Sequence, residues 1–432
     1  MRSNIPKGCE DFDFKEALQF IVDEEEENVE DDHIEDGDGE DNDEESDEED
    51  NGEDNDGEDN EEQFIEELEL DENATSFTFN NHIFEITVCA LHPHRKMAIT
   101  TDGEDRVFLW DTVHAQVVQT VLFHRDKIIY LEFCHDGTYL AIGYIDGELF
   151  VFKVLPPPVS QPEDCIPHSV HLQKVWQKST SLLVWLRWHH TAYVLFAGDY
   201  TGEVFIFDIQ NCDVKLLPRE DETSKNGQIS HDGKKLLLSY DSKIKLFDIE
   251  TYKVLWVVKT NTLHKAIACS KYHATYISGG FDGQVNFFND TGIHGIAQVN
   301  GDILFFAFSP SSHSKLVAVC SYLYEESGTR SQITVWDCTT HSLCTSFYIP
   351  SRENILCMEW ISDYVLLTST ISGDFIAYNL QSASKILTLK GDGVPIYFFK
   401  YKKNEHIILT ALDNGHAKIC EVPMQLITYL MN

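Results

Sequence analysis

The chain has 432 residues, 42% of them hydrophobic, and a formal net charge of −41 at pH 7. It lacks an apolar run of the roughly 18 residues that a transmembrane helix needs, and residues 1–14 lack the apolar core of a secretory signal. Basic residues are too few for a nucleic-acid-binding stripe, so we expect neither a membrane span nor direct nucleic-acid binding.

Most of the charge lies at the N-terminus. Residues 1–72 hold 36 acidic and 3 basic residues, a net charge of −33, whereas the other 360 residues carry only −8. Residues 23–62 are almost wholly Asp, Glu, Gly, Asn and Ser, and such a segment repels itself and has little apolar surface to bury. We therefore predict an acidic, largely disordered arm over residues 1–73. It can hold a basic partner, keep the protein soluble, or shield a basic site on its own body.

Two hydrophobic patches interrupt the arm, at Phe12–Ile21 and Phe64–Leu70. Each is either a docking motif or an apolar patch without a partner, and the sequence leaves both interpretations open.

After the arm, a strand pattern recurs eight times, and each copy ends on a closing hydrophobic residue. These residues are Trp110, Phe152, Phe207, Phe247, Phe288, Trp336, Tyr378 and Cys420. Their spacing of roughly 40–45 residues in most copies is that of WD40 propeller blades. The pattern predicts an all-β, eight-bladed WD40 β-propeller, a fold that usually binds partners on a surface.

The last copy supplies only three strands, within residues 395–422, so one strand of its blade must come from elsewhere. The extended segment 74–79 precedes the first complete copy, and we predict that it pairs with the last blade and closes the ring. The propeller then spans residues 74–424, followed by a tail at 425–432.

Turn carboxylates and histidines predict structural pairs inside the blades. An Asp six residues before the closing aromatic occurs at Asp146, Asp241 and Asp282, with Glu104 in the first copy. A histidine stands 22 residues earlier in two copies, giving the pairs His82–Glu104 and His124–Asp146. We expect these pairs to make buried hydrogen bonds that stiffen a blade. A catalytic role is disfavoured because no nucleophile motif accompanies them, so we expect no enzyme activity.

No phosphate-binding, dinucleotide-binding or zinc-protease motif occurs. The densest histidine clusters have no Cys or carboxylate at a spacing that suits a closed metal site. We therefore predict no cofactor and no metal.

The whole plan resembles the angio-associated migratory cell protein family. The resemblance is carried by the acidic arm, the FIEELEL motif at 64–70, the strand TSFTF at 75–79, and the segments 79–93, 100–111 and 124–147. It implies a non-enzymatic propeller. Fungal relatives look like chaperones of a newly made basic protein of the large ribosomal subunit, and animal relatives are linked to cell migration and angiogenesis.

From that resemblance we expect a basic partner segment from a ribosomal protein, a cytoplasmic location with the nucleus as a second one, and a monomer. The expected contact residues lie in turns on one face of the propeller: Asp102, Glu104, Asp105, Asp199, Tyr200, Tyr240, Phe281 and Asp413. Carboxylates would pair with Lys or Arg, and aromatic rings would add cation–π or apolar contacts. The alternatives are a signalling scaffold, for which the arm serves solubility, and a histone chaperone.

Overall fold

The structure is a computed structural model, and it describes residues 76–103, 106–122, 127–156, 171–264, 266–325, 328–412, 414–423 and 426. All of these residues belong to the unit Glu67–Asn432. The disordered arm predicted at 1–73 and most of the tail at 425–432 lie outside the described residues.

The described chain forms eight four-stranded antiparallel sheets, which confirms the predicted eight-bladed propeller. We call the strands of each blade a, b, c and d from the inside outward, because the first strands of neighbouring blades lie against one another around the central axis. Blade 1 contains β2 (Ile86–Leu91), β3 (Met97–Asp102), β4 (Arg106–Asp111) and β5 (Gln116–Leu122). Blade 2 contains β6 (Ile128–Phe133), β7 (Tyr139–Tyr144), β8 (Glu148–Leu155) and β9 (His171–Ser179). Blade 3 contains β10 (Leu183–Trp188), β11 (Val194–Asp199), β12 (Val204–Asp208) and β13 (Asp213–Leu216).

Blades 4 to 7 follow the same order. Blade 4 contains β14 (Asn226–Ile229), β15 (Lys235–Ser239), β16 (Lys243–Asp248) and β17 (Val254–Lys259). Blade 5 contains β18 (Ala266–Cys269), β19 (Tyr276–Gly279), β20 (Gln284–Asn289) and β21 (Gly292–Gln298). Blade 6 contains β22 (Asp302–Phe308), β23 (Leu316–Glu325), β24 (Gly328–Asp337) and β25 (Ser342–Tyr348). A 3-10 turn, Ser351–Glu353, leads into blade 7, which contains β26 (Ile355–Trp360), β27 (Val365–Thr370), β28 (Phe375–Asn379) and β29 (Ser384–Leu389).

Blade 8 is built from both ends of the described chain. It contains β30 (Phe398–Lys402), β31 (Ile407–Ala411) and β32 (Ala417–Glu421), and its outer strand is β1 (Ser76–Phe79). Ser76 pairs with Cys420 and Phe79 with Ala417, so β1 lies antiparallel to β32. Within the segment predicted to be extended at 74–79, the described residues Ser76–Phe79 thus supply the fourth strand of the last blade.

The core lies between neighbouring blades. Alternate side chains of strands b and c point toward each adjacent blade, and seven of the eight closing residues are buried, with Cys420 half-buried. At the seam between blades 8 and 1, Phe79 stacks on Trp110 with ring centroids 4.7 Å apart. Burying such aromatic pairs is a main source of stability in sheet packing.

Candidate partner-binding face

Strand direction sorts the loops onto two faces. Because strands a to d alternate in direction, the b–c turns and the d–a connections between blades share one face, which we call the upper face. The a–b and c–d turns share the opposite, lower face. The predicted contact residues that the structure describes lie at or beside b–c turns, and hence toward the upper face: Asp102, Asp199, Tyr200, Tyr240 and Phe281.

Three predicted contact residues are buried, which corrects the expectation that a partner meets them. Asp102 is 0% exposed, Asp199 1% and Tyr240 1%. Asp199 accepts hydrogen bonds from the backbone amides of Thr201 and Glu203, both at 3.0 Å. These side chains hold their turns from inside, because a buried carboxylate must have its lone pairs satisfied.

Tyr200 and Phe281 are on the surface, with 59% and 45% exposure. Their role as contact residues stays a prediction. Glu104, Asp105 and Asp413 lie outside the described residues, as does His124 of the predicted pair His124–Asp146.

A hydrogen-bonded chain of four side chains stiffens blade 1. The Trp110 indole donates to Thr100 Oγ1 at 3.2 Å, and His82 Nε2 lies 2.8 Å from the same oxygen. His82 Nδ1 lies 3.1 Å from Asp102 Oδ2, and Arg106 pairs with that oxygen at 2.7 Å. The observed partner of His82 is therefore Asp102, which corrects the predicted pair His82–Glu104.

The predicted pair was wrong because the blades hold the b–c turn in two ways. In blades 2 and 5 the acceptor stands six residues before the closing aromatic, where Asp146 and Asp282 accept from the amides of Glu148 and Gln284. In blades 1 and 3 the acceptor stands eight residues before it, at the end of strand b. In the third copy Thr201 stands six residues before the closing Phe207, and the turn carboxylate is Asp199 instead. In blade 4, Asp241 forms an exposed ion pair with Lys225 at 3.0 Å.

His264 is a structural residue that the sequence reasoning missed. Its Nδ1 lies 3.0 Å from Ser278 Oγ, and its Nε2 lies 3.6 Å from Asp282 Oδ1. The spacing of 18 residues between His264 and Asp282 is shorter than the 22 that was expected. The position of His264 just before the short inner strand β18 could have been used to predict this role from the sequence.

The upper face brings two carboxylates and two exposed aromatic rings together where blades 5 and 6 meet. The Gly280 carbonyl accepts from the amides of both Gly283 and Ile303, each at 3.2 Å. These bonds tie the turn that carries Phe281 and Asp282 to the start of β22, where Asp302 stands. We call Phe281, Asp282, Asp302 and Tyr324 the blade 5–6 cluster.

Tyr324 joins the cluster because the hairpin of blade 6 is long. Asp302 is the register partner of Tyr322, and β23 continues past that pair to Glu325. Tyr324 is 46% exposed and donates a hydrogen bond to Asp302. Burial raises the pKa of Asp302 above its ordinary value, although the bond from Tyr324 opposes the shift. A half-buried carboxylate of this kind gains from an added positive partner.

Some other carboxylates of the upper face are already paired. Beside blades 3 and 4, Lys243 lies 3.1 Å from Glu220 and 3.2 Å from Glu222, and Lys245 also pairs with Glu220. Burial alone would raise the pKa of Glu220, but hydrogen bonds from the two lysines lower it below its ordinary value. An incoming cation would therefore bind this part of the face more weakly than its number of acidic residues indicates.

One group on the lower face has the donor types of a metal site, namely Cys134, His135 and Asp136. The Cys134 thiol and the amide of Thr138 both donate to Asp136 Oδ1. Blade 4 builds the same turn with a hydroxyl, because Ser230 donates to Asp232 and the amide of Lys234 follows. The thiol takes the place of a serine hydroxyl in a turn, which explains the group without a metal.

No family model matches the chain. The chain is 25% identical to human angio-associated migratory cell protein over 220 residues, 50% of this chain and 47% of the relative, and the dog protein matches to the same extent. It thus spans about half the length of these curated relatives in the match. The resemblance to this family is confirmed at that level.

Among solved structures, Saccharomyces cerevisiae Sqt1 superposes with a TM-score of 0.66 at 16% identity, covering 80% of this chain and 98% of that one. Chaetomium thermophilum Sqt1 bound to the N-terminus of ribosomal protein L10 gives 0.66 at 18% identity, with the same coverage. These likenesses support the propeller fold, which usually serves binding. In the described part of the chain, no helix has the length and apolar character to cross a membrane.

Proposed function

We propose that this chain is a non-enzymatic binding protein that holds a basic segment of a ribosomal protein on its upper face. The observation that carries the proposal is the blade 5–6 cluster, which offers two carboxylates beside two exposed aromatic rings. Lysine and arginine side chains bind carboxylates by charge-assisted hydrogen bonds and bind aromatic faces through the ring quadrupole. The blade 5–6 cluster can therefore bind both the charged end and the apolar stem of a basic side chain.

The comparisons support the class of partner. A propeller of the same fold, C. thermophilum Sqt1, is bound to the N-terminus of ribosomal protein L10. The acidic sequence of residues 1–72 adds a long-range attraction for a basic protein, which raises association rates. We place this role in the cytoplasm, with the nucleus as a second location, and we expect a monomer to perform it.

A binding role rather than catalysis is favoured by what the histidine–carboxylate pairs do. His82 is buried against Asp102 and Thr100, and His264 against Ser278. Both hold the framework of a blade, where substrate has no access.

The test uses a synthetic peptide of the N-terminus of ribosomal protein L10, titrated into the full chain by calorimetry at low and at high salt. Neutralising both cluster carboxylates (D282N with D302N) should weaken binding at least 10-fold, because hydrogen bonds to charged groups contribute roughly 1.5–3 kcal/mol each. The matched control is D363N with E250Q, which removes two charges from the lower face. High salt should weaken binding to the unmodified chain.

Equal affinity of the cluster variant and the control variant would refute the cluster as the binding site. Affinity purification at two salt concentrations then separates the alternatives. A basic ribosomal protein shed at high salt supports the proposal, and histones would favour the histone chaperone. Partners without basic character, retained at high salt, would favour the signalling scaffold toward which the angio-associated relatives point.

A further inference from the structure

The lower face carries a cationic cluster where blades 8 and 1 meet. Arg95 and Lys96 stand in the a–b turn of blade 1, and Lys402 and Lys403 stand at the end of β30. Lys402 Nζ donates to the Arg95 carbonyl at 2.7 Å and so joins the two turns. Lys402 also pairs with Glu405 at 2.6 Å, but no carboxylate of the described residues lies at ion-pair distance from Arg95, Lys96 or Lys403.

The positive charge of this cluster affects the pKa of the neighbouring His92. Burial, and then the positive charges of Arg95 and Lys402, lower the pKa of His92 to about 4. Three of the four cations in the cluster, Arg95, Lys96 and Lys403, thus have no carboxylate partner among the described residues, on a body whose total charge is negative.

A pocket of about 300 Å³ opens beside the cluster. Its walls are mainly apolar, its cations are Lys400 and Lys402, and its lining includes one carboxyl, Glu132, whose pKa burial raises above the ordinary value. The apolar lining comes from Ala90, Leu91, Pro93, Leu131 and Phe133. Apolar walls with a cationic rim suit a ligand that alternates hydrophobic and acidic side chains.

The described chain begins on the same lower face as this pocket, at the outer edge of blade 8. Strand β32 runs from the upper face toward Glu421 on the lower face, and Ser76 pairs with Cys420 near that lower end. Ser76, the first described residue, therefore lies at the lower rim of blade 8, the blade that carries Lys402 and Lys403.

We propose that the acidic segment 67–72 docks on this cationic cluster of its own propeller, with Leu68 and Leu70 in the pocket. The sequence Glu-Leu-Glu-Leu-Asp-Glu supplies four carboxylates and two apolar side chains in six residues. It is the C-terminal part of the hydrophobic patch that the upper-face function leaves without a role. Carboxylates at 67, 69, 71 and 72 face the cations, and the leucines cover the apolar walls.

The dimensions permit this contact. From β1 to the inner strand of blade 8 there are three interstrand spacings of about 4.8 Å, roughly 14 Å in all. The six residue-to-residue steps from Leu70 to Ser76 span roughly 20 Å when the chain is extended. A segment tethered this closely has an effective concentration on the order of millimolar, so it outcompetes a free acidic partner of equal affinity.

Hydrogen exchange of the full chain tests the proposal. Amides of residues 67–72 should be protected, and the variant L68S with L70S should lose that protection at least 10-fold. The same variant should exchange faster at the turn 92–96. Charge reversal on the cluster (K96E with K403E) should also release the segment. Reversal of two exposed lysines on the lower face of blade 4 (K234E with K253E) is the matched control and should not.

Three results would overturn the proposal. The first is exchange of residues 67–72 at the rate of an unstructured peptide in the unmodified chain. The second is equal protection in K96E/K403E and in its control. The third is protection that rises with protein concentration together with a dimer in sedimentation, which would place the segment on a second copy. None of these results bears on binding of a basic peptide to the upper face, so the two proposals fail separately.

Discussion

The chain of hydrogen bonds from Trp110 to Asp102 has a direction, and that direction predicts the effect of one substitution. An indole N–H can only donate, so Thr100 Oγ1 accepts from Trp110, and its own hydrogen is then free to donate to His82 Nε2. His82 Nδ1–H consequently donates to Asp102. Burial lowers the pKa of His82 even though the bond to Asp102 opposes the shift, which agrees with a neutral ring.

Thr100→Val keeps the shape of the side chain and removes the central hydroxyl. It leaves the Trp110 N–H and His82 Nε2 without partners, and each buried unsatisfied group costs about 1–3 kcal/mol. We expect a loss of about 2–6 kcal/mol in the free energy of opening the seam between blades 8 and 1. The control Thr100→Ser keeps the hydroxyl and removes one methyl group, a loss of about 1 kcal/mol.

Native-state hydrogen exchange of residues 76–91 measures the opening of this seam. Since 1.4 kcal/mol corresponds to tenfold, Thr100→Val should accelerate exchange there by a factor of about 30 or more. Peptides from blade 4 serve as the internal reference. Equal protection in Thr100→Val and Thr100→Ser would refute the assigned direction of the hydrogen bonds.

Two further predictions concern the turns. His92 Nδ1 accepts hydrogen bonds from the amides of His94 and Arg95, and burial lowers the pKa of His92 to about 4. The neutral ring therefore contributes to the free energy of unfolding above pH 6.5, and this contribution is lost as the pH falls toward 4. Between pH 7 and pH 5, the melting temperature of His92→Asn should fall less than that of the unmodified chain, and an equal fall would contradict this assignment. Gly147 has a φ of +92°, and an added Cβ would lie 2.0 Å from the Ser181 carbonyl oxygen, so Gly147→Ala should lower the free energy of unfolding by at least about 2 kcal/mol in denaturant titrations. An added Cβ at Gly103 has no neighbour within 4 Å, so a Gly103→Ala variant as damaging as Gly147→Ala would argue against the steric reason.

The blade count could be predicted from the sequence because the repeat depends on local physics. A closing aromatic residue in strand c is buried in nearly every blade, and its spacing along the chain records the blade length directly. The sequence also has an extended segment before the first copy and lacks one strand in the last copy, and together these features predicted how the ring closes. Edge strands need partners, and that need is visible in sequence.

The details of the face could not be predicted in the same way. The turn carboxylate stands at either of two places before the closing residue, so a search for one spacing misses Asp102 and Asp199. Asp302 and Tyr324 are contributed by an inner strand and by the end of a long hairpin, which only the register brings together. Lys402 and Arg95 are 307 residues apart in sequence and meet only because the ring closes.

The pairing of charges, more than their number, decides where a basic segment can bind. Beside blades 3 and 4, a lysine from the partner would have to displace Lys243 from Glu220 and Glu222, exchanging one ion pair for another with little net gain. At the blade 5–6 cluster, Asp302 has a tyrosine hydroxyl as its partner, and Asp282 has a histidine nitrogen at 3.6 Å that burial keeps neutral. A cation added there forms a new ion pair without breaking an old one. The same reasoning separates the two proposed sites among the described residues. Asp282 and Asp302 of the blade 5–6 cluster have no Lys or Arg at ion-pair distance, whereas Arg95, Lys96 and Lys403 of the lower-face cluster have no carboxylate at that distance.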